Sequence, residues 1–158
     1  MRMSLFCSCL SRRRSDHNER LYQEQFERIR GVYPGTDYAC LLNAASGEII
    51  AQTEIPVVNT EELARTIVTL KRAAQQFATT LTQVESQVVH VKGDDRMFSC
   101  FGGEGTILAF YTQMPGVNLE LFDCNEADKT VHMINTELMR LAGMTSHHAL
   151  RRAHAHNH

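Results

Sequence analysis

Between Thr36 and Thr112 the apolar positions change period twice, and the changes read as a hairpin, a long helix and a three-strand meander. The first strand is expected over 37–42, where Tyr38-Ala-Cys-Leu-Leu42 is apolar on both faces and therefore suits a central place in a sheet. Residues 43–47 close a hairpin onto a second strand at 48–52. A long helix then opens at Asn59, whose side chain can accept from the first-turn amides, with Glu61 and Glu62 placed at the positive end of the dipole. Leu63, Ile67, Leu70, Ala74, Phe77 and Leu81 recur at steps of three and four, a stripe of about five turns. Small neighbours, Ala64, Ala73 and Ala78, would let a second helix approach. Strands follow at 87–91, 96–101 and 106–111, separated by turns at 92–95 and 102–105. The stretch from Ile107 to Tyr111 lacks alternation and belongs beside the first strand, which leaves 87–91 near an edge open to pairing.

The flanks are helical by the same criteria. A first helix is expected from an Asp16 N-cap, with Glu19 three residues on and Tyr22, Phe26 and Ile29 on one face. Gly31 stops it, and Pro34-Gly35 turns the chain into the first strand. A last helix spans about 126–141, with Ala127, Val131, Ile134, Leu138 and Leu141 on one side and Gly143 at its end. Residues 118–124 carry no clear periodicity. The organisation is one α+β domain at 16–142, a disordered basic, cysteine-bearing tail at 1–15 and a disordered histidine-rich tail at 143–158.

With 158 residues, 43% of them hydrophobic, the chain can bury a core of its own. A formal charge of −2 gives no electrostatic reason to expect nucleic acid, although Arg2, Arg12, Arg13 and Arg14 all precede Asp16, the first acid. Five cysteines without paired spacing suggest neither a disulfide framework nor a zinc finger, so a reducing compartment is the expectation. The apolar runs are too short for a membrane span, and the Leu5 to Leu10 patch is too short for a signal sequence and precedes its arginines. These features describe a cytoplasmic protein.

Little here points to catalysis, a cofactor or a metal. Gly102-Gly103-Glu104-Gly105 joins two strands and leads into no helix, so it reads as a hairpin turn and not as a phosphate loop. Cys40, Cys100 and Cys124 have no histidine at motif spacing, and two of them fall in strands, where cysteine behaves as a small hydrophobe. His90 and His132 read as isolated. His147, His148, His154, His156 and His158 lack the cysteine or carboxylate that would complete a metal shell, which favours a solvated tail. One tail segment has a sharper reading: Cys7 and Cys9, flanked by apolar residues beside three arginines, suit reversible acylation and attraction to anionic lipid. Myristoylation is excluded by Arg2 after Met1.

Three stretches, IRGVYPGTDYACLLNAASGEIIAQT, TEELARTIVTLKRAAQQFATTL and VVHVKGDDRMFSCFGGEGTILAFYT, in that order, resemble the Roadblock family of dynein light chains and small-GTPase regulators over about residues 20–142. The resemblance implies a longin-like, profilin-like five-stranded antiparallel sheet, with the long helix on one face and the N- and C-terminal helices on the other. It also implies dimers, with itself or a related Roadblock-type subunit, in which the long helices and the strand at 87–91 pair across a two-fold axis. The expected interface is Leu63, Ile67, Leu70, Lys71, Ala74 and Phe77 on the helix, with Val89 and Val91 on the strand. The expected role is a non-enzymatic adaptor for a small GTPase or a multisubunit complex, peripheral on endomembranes where the N-terminal tail anchors it. The alternatives are a dynein-associated light chain bound to an intermediate chain, and a small-ligand sensor with a longin- or PAS-like cavity. SQVVHVKGDDR is only loosely similar to the charged third strand of the light chains, and 118–124 resembles an insertion before the last helix.

Overall fold

The computed structural model describes residues 3–54, 59–82 and 88–143, with side chains for 16–54, 59–81 and 88–143. Its elements are α1 (Met3–Val32), β1 (Thr36–Asn43), β2 (Ile49–Gln52), α2 (Thr60–Thr82), β3 (Val88–Lys92), β4 (Arg96–Gly102), β5 (Thr106–Gln113), a short 3-10 turn at Leu119–Leu121 and α3 (Asn125–Leu141). The ββαβββ order is as expected, and the strands form one antiparallel sheet in the order β2-β1-β5-β4-β3. β5 lies at the centre, flanked by β1, and β3 is an edge.

Register explains the two cores. One row across the sheet sets Ala51, Leu41, Leu108 and Phe101 side by side. These residues face α1 and α3, packing with Phe26 and Ile29 from the first, Tyr33 just after it, and Val131, Ile134 and Leu138 from the second. The next row sets Cys40, Ala109 and Cys100 together and faces α2, where Ala64, Ile67 and Val68 cover it. Because successive strand residues point to opposite faces, two apolar layers require strands with little polar alternation, which is what β1 and β5 supply.

α1 begins at Met3, so Asp16 is not its N-cap as the capping pattern suggested. The physical reason is that no glycine or proline interrupts residues 3–30, and a good capping residue inside an unbroken run need not start a helix. Gly31 lies inside α1, which runs on to Val32, but the turn at Pro34-Gly35 follows expectation. Gly35 sits at φ +89°, and a Cβ there would lie 2.1 Å from the Gln113 carbonyl oxygen. α2 opens as read, with the Glu62 amide donating to Asn59 Oδ1 at 3.2 Å. Residues 118–124 are anchored, with Leu119 fully buried, its amide donating to the Asp94 carbonyl at 2.7 Å, and Lys92 Nζ donating to the Phe122 carbonyl at 3.0 Å. The side chains of Cys7 and Cys9 and all of 144–158 lie outside the described residues. No described helix is long and apolar enough to cross a membrane.

Candidate interaction surface

α2 is amphipathic, but the side it turns to the sheet is not the side with its largest apolar groups. Facing inward are Ala64, Ile67, Val68 and Lys71, all buried. Leu63, Leu70 and Ala74 are half-buried along the rim, while Phe77 is 68% exposed and Leu81 64% exposed. An open groove lined by Glu62, Arg65, Thr66, Thr69, Leu70 and Ala73 runs along the outer flank. The helix is thus rolled so that part of its apolar stripe meets solvent. A large side chain gains about 1.5–3 kcal/mol on full burial, so this flank is suited to a second apolar surface.

The same side of the sheet ends in an open edge. Gly93 N–H donates to the Arg96 carbonyl at 2.8 Å, which fixes the alternation of the β3–β4 ladder. Val89 and Val91 therefore direct their peptide groups to β4, and His90 and Lys92 direct theirs outward, where no described group bonds to them. Val91, 52% exposed, adds apolar surface on the α2 side. The opposite edge is treated differently. On β2 the Gln52 carbonyl accepts from Gln23 Nε2 of α1 at 3.1 Å, and the Gln52 side chain accepts from Tyr38 Oη at 3.1 Å. On the β2 edge Gln52 is tied in from α1, whereas among the described residues no such tie reaches the outward groups of His90 and Lys92 on β3.

An open five-stranded sheet with one long helix on one face and two terminal helices on the other is also found among solved structures. It matches MglB in a tetrameric arrangement at 18% identity and a TM-score of 0.63, covering 80% of this chain and 90% of that one. The gliding protein MglB of Thermus thermophilus matches at 18% and 0.62, over 80% and 91%. A Roadblock/LC7 domain of Streptomyces avermitilis matches at 17% and 0.58, over 75% and 94%. The fold is that of Roadblock/LC7 domains. The sequence itself matches no protein-family model and no curated protein.

On this Roadblock scaffold the expected interface residues divide. Leu63, Leu70, Ala74, Phe77 and Val91 reach the flank and edge just described, and half-buried Val89 lies beside them. Ile67 and Lys71 do not: at 1% and 2% exposure they are closed between helix and sheet. Ile67 belongs to the stripe that periodicity picks out and Lys71 lies next to it, but the sheet of the same chain already occupies the face on which both lie. Burial lowers the pKa of Lys71, a cost to its charge that the lysine stem partly offsets by packing on the Gly103 turn.

His90 is not isolated. Its Nδ1 lies 2.7 Å from Ser99 Oγ and its Nε2 lies 2.9 and 3.0 Å from the two Asp128 oxygens. Tyr33 Oη donates to Asp128 Oδ1 at 2.9 Å. Burial first, then hydrogen bonds to Cys124 and Asp128, push the Tyr33 pKa up. The four residues come from four parts of the chain, and no spacing announces them. The one local signal is cross-strand pairing, since His90 faces Ser99 in the non-bonded position where side chains lie closest. The set is not a hydrolytic triad. Ser99 is fully buried, and the carboxylate holds Nε2 where serine hydrolases hold Nδ1. The strand cysteines are buried like small hydrophobes. Cys40 and Cys100 flank Ala109 two strands apart, too far for a bond, and burial pushes their thiols up to about 11 and about 12. The glycine turn is a hairpin, with Gly102 at φ +87° and Gly103 at φ +138°.

Proposed function

We propose that this chain is a non-enzymatic adaptor that works as a dimer and binds or regulates a small GTPase. The observation that carries the reading is the roll of α2, which leaves Phe77 and Leu81 in solvent on the face of the sheet where exposed Val91 of the β3 edge also lies. A second copy meeting the first about a two-fold axis covers both features at once, joining two sheets edge to edge and laying two α2 helices together. A shared Roadblock/LC7 fold supports a regulator of small GTPases, the role the sequence resemblance implies. The layer between α2 and the sheet is filled by Tyr38, Cys40, Leu42, Cys100 and Ile107, which disfavours a ligand-sensing cavity there. Where the N-terminal segment carries acyl chains on Cys7 and Cys9, the adaptor is held at an endomembrane surface.

The test is affinity capture with the full chain from lysate loaded separately with GDP and with a non-hydrolysable GTP analogue. Recovery of a GTP-binding protein that depends on which nucleotide is present supports the proposal. Recovery of a dynein intermediate chain, indifferent to nucleotide, would replace it with the light-chain reading.

A further inference from the structure

We propose that His90 couples the pairing edge of the sheet to the terminal-helix layer, as a positioning residue for the β3 interface. The proposal rests on the reading of β3 as the pairing edge. His90 serves two surfaces at once: its peptide group points out of the sheet, and its imidazole points in, bridging Ser99 of β4 and Asp128 of α3. Asp128 also receives the Tyr33 hydroxyl from just beyond α1, so one carboxylate gathers an edge strand, the first turn of α3 and the end of α1.

An edge strand has ladder bonds on one side only, and side-chain anchors therefore contribute more to its position than they would in a central strand. Among the described residues, side-chain bonds from His90 to Asp128 and from Lys92 Nζ to the Phe122 carbonyl tie β3 to this side of the sheet. The surroundings of the imidazole are otherwise apolar or neutral. The Phe101 ring lies edge-on at 5.9 Å, with His132 of α3 against the same ring at 5.0 Å, and Cys124 beside Tyr33. Among the described residues, Asp128 is the carboxylate bonded to the ring. With Nε2–H donating to Asp128, Nδ1 accepts from the Ser99 hydroxyl when His90 is neutral, and donates to it when His90 is protonated. The bridge is therefore complete in either state, which suits a fixed coupling element. Coupling is reciprocal: a ligand that displaces the first turn of α3 weakens pairing at β3, and pairing at β3 holds α3 in place.

The test uses full-length Asp128→Ala, Asp128→Asn, His90→Phe and the double variant His90→Phe with Asp128→Ala. Dimer dissociation constants come from sedimentation equilibrium, and amide hydrogen exchange in β3 is read in the same variants and in a Phe77→Asp background. Asp128→Ala is expected to raise the dissociation constant about tenfold and to speed exchange at Val89 and Val91, whose amides the β4 ladder holds. Asp128→Asn, whose amide oxygen still accepts from Nε2–H and from Tyr33, is expected to restore both to within about threefold. The double variant should be no weaker than His90→Phe alone. Unchanged β3 exchange in Asp128→Ala, no rescue by asparagine, or additive effects in the double variant would overturn the coupling. Should the wild type prove monomeric throughout, the pairing reading fails by itself, while β3 exchange still decides whether His90 anchors the strand.

Discussion

Phe77→Asp separates an interface role from a core role, because the lone subunit leaves 68% of this side chain in solvent. Full burial of phenylalanine contributes about 1.5–3 kcal/mol, so about 1–2 kcal/mol remains to be gained per copy when a partner covers it. A two-fold interface counts the residue twice, giving about 2–4 kcal/mol per dimer, or a dissociation constant raised about 30- to 1000-fold. The introduced carboxylate would have to be desolvated as well, which moves the effect toward the upper end. Aspartate and phenylalanine have similar helix propensities, and the site is on the surface, so the subunit's own stability should change by no more than about 0.5 kcal/mol. Sedimentation equilibrium of wild type and variant, with urea unfolding of the variant at a concentration where it is monomeric, reads both quantities. A dissociation constant within about threefold of wild type, or a variant that no longer folds, refutes the reasoning.

Two further outcomes test the fold that presents this surface. Gly35→Ala should cost at least about 2 kcal/mol in urea unfolding, because the new methyl would meet the Gln113 carbonyl at 2.1 Å in a left-handed backbone conformation, and a loss under about 0.5 kcal/mol would contradict the packing of that turn. The buried thiols make an alkaline prediction. Cys40 and Cys100 are raised from 9.0 to about 11 and about 12, so the folded chain holds these protons more tightly than the unfolded chain. Their stabilisation is full below pH 9 and is lost as pH rises toward 11 and 12. Unfolding midpoints should fall between about pH 9 and pH 10, before the buried tyrosines contribute, and should flatten in Cys40→Ala with Cys100→Ala.

Much of the fold was legible because its signals are local. Asn59 caps α2, Gly35 and the glycine pair at 102–103 set turns, and the unalternated runs in β1 and β5 identify the centre of the sheet. The start of α1 was not legible, since Asp16 followed by Glu19 forms a good capping pattern within a run that nothing breaks. The exposed flank of α2 was legible in part. Periodicity identifies a stripe on the helix but not its roll about the axis, which depends on how Ile67 and Lys71 seat against Cys100 and the Gly103 turn. The bridge at His90 was illegible, because Tyr33, His90, Ser99 and Asp128 meet only through tertiary packing, and each alone is an ordinary residue of its element. The likeness to Roadblock/LC7 structures is likewise carried by topology, with identities of 17–18%.

The most direct test of the paired surface is the solution mass of the unmodified chain over a wide dilution series. The exposed flank of α2 and the open edge of β3 predict twice the mass of one chain at high concentration, falling to a single copy on dilution, with Leu81→Asp shifting the transition to higher concentration. A single-copy mass at every concentration would contradict the account.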